Sequence, residues 1–154
     1  MQTRLDYSKA APGSVQAMYK LQKYVEESGL EHSLLELVKT RVSQMNGCAF
    51  CIDMHTKDAR AAGETEQRLY GLSAWREAPY YSERERAALA WAEVVTNISE
   101  THASDEEYEA VRAQFSEEEL VKLTMAVIAI NGWNRLAIAF RSEVGKYQPR
   151  AKAE

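Results

Sequence analysis

Cysteine is almost missing from this chain: 154 residues contain two, Cys48 and Cys51. Thiols three residues apart cannot tie distant parts of a fold together, which excludes a secreted disulfide framework and favours a redox or metal pair in a reducing compartment, hence the cytoplasm. No segment sustains period-2 alternation with β-branched residues, which argues against strands. No basic stripe, RGG or zinc-finger pattern is present, and the net charge of −4 comes from both signs mixed along the chain. Nucleic acid is therefore not expected as a partner. Met1 to Gly13 is polar and lacks the apolar core of a signal segment. The longest apolar stretch, Leu120 to Phe140, is interrupted by Lys122, Asn131, Asn134 and Arg135. It reads as a buried helix and not a membrane span.

What is present is helical punctuation. Val15 to Ser28 is amphipathic and ends at Gly29, and Ser33 to Met45 stops at Asn46-Gly47. Cys48 to Ala62 ends at Gly63, and two short helices are expected over Thr65 to Tyr70 and Ser73 to Glu77, the second stopped by Pro79. Ser82 with Glu85, Ser104 with Glu107 and Ser116 with Glu119 are three capping boxes. They open helices near 83–98, 105–114 and 117–142. The expectation is one all-α domain over 1–154, long enough to bury about two thirds of its chain surface. Leu120 to Ile130 is apolar on nearly every side, which hints at a subunit interface. Glu36-Leu37-Val38-Lys39 recurs as Glu119-Leu120-Val121-Lys122, and Asn46-Gly47 as Asn131-Gly132, a faint repeat.

The chemistry concentrates in Cys48-Ala49-Phe50-Cys51-Ile52-Asp53-Met54-His55. Offsets of three and four place Cys48, Cys51 and His55 on one helix face. Thiols one turn apart can close a disulfide. A helix starting at or near Cys48 directs its orphan N–H groups and positive dipole end at the thiols, which favours the thiolate. Cationic His55 beside Cys51 acts in the same direction. Zinc held by Cys48, Cys51, His55 and Glu36 is the competing reading. Against it, one helix offers at most three ligands and no second cysteine or histidine cluster follows.

Glu36 stands twelve residues before Cys48. With that spacing, the four residues resemble the AhpD-like alkylhydroperoxidases of the carboxymuconolactone decarboxylase superfamily, whose signature is a glutamate, a CxxC pair and a histidine. The likeness extends through Asp58-Ala59-Arg60-Ala61-Ala62-Gly63 and Asn131-Gly132-Trp133-Asn134-Arg135. It implies a compact multi-helix AhpD-like domain with the CxxC at the start of a helix. It further implies a peroxidase-type thiol oxidoreductase with no prosthetic group, acting on small organic hydroperoxides. Cys51 would attack the peroxide, Cys48 would resolve the product, and His55 and Glu36 would handle the proton. The implied partners are a dithiol electron donor such as lipoamide on a carrier protein, and further copies of the chain in a trimer or, as expected here, a hexamer. Phe50 departs from the AhpD pattern, which usually has a second histidine just before the second cysteine. Helical phase alone sets Glu36 opposite the Leu34, Val38, Met45 stripe, as a solvated glutamate; only the resemblance makes it catalytic. Two other functions share this sequence space: a carboxymuconolactone-decarboxylase-like lyase, which generally lacks the CxxC, and a redox-sensing dithiol module without fast turnover.

Overall fold

The computed structural model describes residues 2–149, so the two ends of the expected 1–154 domain lie outside the described residues. Within them the chain forms nine α-helices and no strand. These are α1 (Tyr7–Ala10), α2 (Pro12–Glu26), α3 (His32–Asn46), α4 (Ala49–Ala61), α5 (Glu66–Gly71), α6 (Glu83–Thr96), α7 (Ile98–Thr101), α8 (Asp105–Arg112) and α9 (Glu117–Phe140). All three capping boxes are made, with Ser82, Ser104 and Ser116 each accepting from the backbone of the glutamate three residues on. The expected helix over 73–77 is only a 3-10 turn, Leu72–Ala74. Five residues before a proline are too few to repay helix nucleation. The four-residue helices α1 and α7 carry no apolar period and were not expected from the pattern; α1 is held by Asp6, whose carboxylate caps Ser8 and Lys9.

α3 lies at the centre, packed against α4, α6, α9 and the 3-10 turn. Every residue from Leu34 to Thr40 is therefore buried, whatever its polarity. One hydrophobic cluster joins α3 to α6 and α9 through Leu34, Val38, Leu89's neighbour Ala88, Leu123 and Val127. A smaller one gathers Leu37, Leu69, Leu72, Trp75 and Leu89. By length and composition α9 is apolar enough to cross a membrane. Here it is a core helix against α2, α3 and α6, yet Val121, Ile128 and Ile138 stay exposed on its outer side. The faint repeat does not mark equivalent places: Asn46-Gly47 closes α3, whereas Asn131-Gly132 lies inside α9.

Candidate active site

The dithiol is set by how α3 ends. Gly47 takes a left-handed conformation, φ 69°, which suits a residue without Cβ. Its N–H donates to the Gln44 carbonyl and that of Cys48 to the Ser43 carbonyl, at 3.2 and 2.9 Å. This Schellman closure turns the chain sharply into α4. Cys48 becomes the N-cap of α4, and its Sγ accepts the Cys51 backbone N–H at 3.3 Å. The Cα atoms of Cys48 and Cys51 are 5.3 Å apart and the two sulfurs are joined as a disulfide. Both cysteines are only 1% exposed.

A polar network fixes the turn against α9. Asn46 Nδ2 donates to Asn131 Oδ1 at 3.0 Å and to Asn134 Oδ1 at 2.9 Å. Fully buried Asn134 donates in turn to Ser43 Oγ at 3.1 Å. Asn134 thus buttresses the residue pair that launches the CxxC helix, while Arg135 is exposed and bonds back to Asn131.

His55 is one turn beyond Cys51 on α4 and is buried. Its Nδ1 meets Glu36 Oε2 at 2.9 Å across the α3–α4 contact. Glu36 is 3% exposed, which overturns the solvated glutamate of the helical-phase reading. Periodicity assumes a wet face, and α3 has none at this level. The other carboxylate oxygen, Oε1, accepts from Lys39 Nζ at 2.8 Å, and Lys39 is itself buried. Burial pushes the Glu36 carboxyl up, but the His55 hydrogen bond and charge, together with the Lys39 ammonium, hold it at about 2 against an ordinary 4.5. Glu36 is therefore an anion at any physiological pH. It can orient His55 and stabilise its imidazolium, with Nδ1 committed and Nε2 left for proton exchange. His32 comes within 4.0 Å of Glu36 Oε1, closer than its sequence context indicates.

Potential metal-ligand atoms of Glu36, His55 and Asp58 lie within 4.8 Å of one another. The Lys39 ammonium already neutralises Glu36, so the charge there does not call for a cation. In the disulfide form the cysteines offer no thiolate for a zinc set with Glu36 and His55. Beside the CxxC helix lies a cavity of about 360 Å³, walled by Phe50, Trp133 and Tyr19 on one hand and by Asp6, Ser8 and Glu143 on the other.

The four residues picked out by the sequence thus stand as two pairs at the α3–α4 junction, Glu36 with His55 and Cys48 with Cys51. The profile of the carboxymuconolactone decarboxylase family matches residues 12–94, a span that holds all of them. The chain belongs to the carboxymuconolactone decarboxylase family. It is 48% identical over 139 residues to the uncharacterized protein YdfG of Bacillus subtilis strain 168, covering 90% of this chain and 95% of that protein. A solved structure from Agrobacterium tumefaciens, described as a protein of unknown function and putative antioxidant defence protein AhpD, is 50% identical with a TM-score of 0.91. That match covers 95% of this chain and all (100%) of the other. An AhpD-core, peroxidase-related protein of Ralstonia eutropha JMP134 has a TM-score of 0.79 at 19% identity, over 90% of this chain and 74% of its own. The fold is therefore AhpD-like. One member of the site escaped the sequence reading. Lys39 carried a signal, three residues after Glu36 on the same helix, but a lysine beside a glutamate at that offset reads as a surface pair. Asn134 belongs to the Trp133-Asn134-Arg135 stretch, for which the pattern leaves a buttress and ordinary helix packing equally open; its bonds to Asn46 and Ser43 make it a buttress.

Proposed function

We propose that this carboxymuconolactone decarboxylase family protein is a thiol-dependent peroxidase that reduces small organic hydroperoxides through the Cys48–Cys51 pair. The observation that carries this reading is the buried Glu36–His55 dyad one helical turn from a dithiol that closes into a disulfide. In the reduced protein the Cys51 thiol gives its proton to His55 Nε2. The thiolate attacks the outer peroxide oxygen and the O–O bond breaks. The oxygen ends as Cys51 sulfenic acid, and the alkoxide takes the proton back to leave as an alcohol. Cys48 then displaces water from the sulfenic acid to form the disulfide. A dithiol donor, of which lipoamide is the candidate, restores both thiols by exchange. Glu36 stays ionised throughout. The cavity at Phe50 and Trp133, of mixed aromatic and polar lining, offers a place for the organic part of the hydroperoxide next to α4. The exposed apolar side of α9 supports assembly into a homo-oligomer, with a hexamer expected.

The deciding assay is hydroperoxide consumption with dihydrolipoamide as donor, on wild type and Cys51→Ser. Multiple turnovers that vanish in Cys51→Ser support the peroxidase. A single stoichiometric oxidation without turnover points to a sensing dithiol instead. Decarboxylation of a lactone that survives loss of the thiols identifies a lyase.

A further inference from the structure

Lys39 is a buried ionisable group that the reaction above does not use. It sits in the stretch of α3 that is covered on all sides, and its side chain is 5% exposed. Lysine is among the residues least often buried, because desolvating an ammonium is costly unless an anion compensates it. The compensation here is Glu36, 2.8 Å away, and this is the same carboxylate whose second oxygen holds His55. The three groups carry one net positive charge only when His55 is protonated. With neutral His55, Glu36 and Lys39 cancel.

We propose that Lys39 is a positioning residue that cancels the Glu36 charge, so that His55 rests as a neutral base and not as an imidazolium locked to a lone carboxylate. This rests on the peroxidase reading for its catalytic meaning, though not for its electrostatics. A buried carboxylate with no other counter-charge would draw a proton onto the imidazole beside it. A protonated His55 cannot accept the thiol proton. Lys39 removes that pull while leaving Glu36 charged, and so still able to accept from Nδ1–H. The carboxylate keeps its orienting hydrogen bond and gives up its grip on the second proton.

Other charged groups face this cluster. His32 lies on the same helix, 4.0 Å from Glu36 Oε1. α4 contributes Asp58, which accepts from the Tyr147 hydroxyl at 2.8 Å. Glu64, just after α4, lines the same small cavity as His32 and Glu36 but is bonded to Arg68 at 2.9 Å. From α6, Glu93 is held by Arg41 and Trp75. Lys39 is the cation in hydrogen-bond contact with the carboxylate, so its removal is the perturbation that isolates the effect.

The test compares full-length wild type, Lys39→Met and Lys39→Arg. The first readout is the pH profile of single-turnover oxidation of the reduced dithiol by cumene hydroperoxide. The second is the titration of the His55 ring followed by nitrogen-15 NMR, which needs no activity. In Lys39→Met the acid limb and the ring titration should both move up by about one pH unit, the scale of one charge acting over a few ångströms of protein. Lys39→Arg, which keeps the charge, should stay near wild type. Unmoved curves in folded Lys39→Met, or an equal displacement in Lys39→Arg, would overturn the proposal. If Lys39→Met does not fold, Glu36→Gln/Lys39→Met decides: recovery of folding supports charge cancellation, and failure assigns Lys39 to packing. Should wild type show no hydroperoxide activity, the peroxidase reading falls, while the NMR titrations still decide the role of Lys39.

Discussion

Acid should dismantle this protein partly through Glu36, and the size of that share can be worked out. The folded-state carboxyl titrates at about 2 and its ordinary value is 4.5. A group with a depressed folded value stabilises the native state above its unfolded value and loses that contribution as pH falls toward the folded one. The full contribution is about 3 kcal/mol, and about 2 kcal/mol of it is gone by pH 3. Glu31, Glu85 and Glu93 are also held low by their partners, so acid weakens the fold at several places together. The comparison that isolates Glu36 is therefore wild type against Glu36→Gln. Glutamine keeps one acceptor oxygen where Glu36 has two, so it can accept from Lys39 or from His55 at its place but not both, and it leaves a buried ammonium without its counter-charge, which costs about 3 kcal/mol at neutral pH. Urea unfolding at pH 7 should show that gap, and at pH 3 it should shrink to about 1 kcal/mol because only wild type has lost the carboxylate term. Protein concentration must be matched, since self-association adds its own stability. A gap that is constant with pH would refute the buried ion cluster, and no gap at pH 7 would restore a solvated glutamate.

Three further outcomes are expected. Cys48→Ser should react once with peroxide and stop as a sulfenic acid that dimedone traps, whereas Cys51→Ser should lose that first reaction; sulfenate on Cys48 in Cys51→Ser, formed at the wild-type rate by mass spectrometry, reverses the assignment. Light scattering of the purified protein should show a homo-oligomer, and Ile128→Lys on the exposed side of α9 should shift it to smaller species; a wild-type monomer at micromolar concentration refutes that role for the helix. Asn134→Ala should cost about 1–3 kcal/mol in thermal or urea unfolding by stranding Asn46 and Ser43, and an unchanged stability would mean the network does not hold the turn.

The helices were legible because their signals are local. A serine three residues before a glutamate, or Asn-Gly after an apolar run, is satisfied by the backbone beside it and needs no knowledge of the rest of the fold. The CxxC helix and its facing histidine followed from spacing for the same reason. Glu36 did not, because burial is a property of what packs around a helix. α3 reads as amphipathic, yet its mid-section is enclosed by α4, α6, α9 and the 3-10 turn. The converse holds for α9. Its sequence is apolar all round, and within one chain Val121 remains 60% exposed, in keeping with a helix that one copy does not fully cover. Lys39 is not picked out by the same local logic: at three residues from Glu36 it matches a surface ion pair, and only the enclosing helices make it a buried one.

The geometry of α4 also separates the two sulfurs. Cys48 caps the helix and its Sγ accepts a backbone N–H, so negative charge on Cys48 is stabilised by the helix terminus. Cys51 is the third residue of α4, one turn before His55. A stabilised thiolate is a good leaving group, and a thiol beside a base is a good nucleophile when attack and proton loss coincide. On the proposed peroxidase reading, the arrangement favours attack on peroxide by Cys51 and departure of Cys48 when the disulfide is reduced, with an incoming dithiol on the Cys51 sulfur. Both cysteines are 1% exposed, so on that reading both peroxide and dithiol reach them only when the start of α4 moves, and the bulkier dithiol asks for the larger opening.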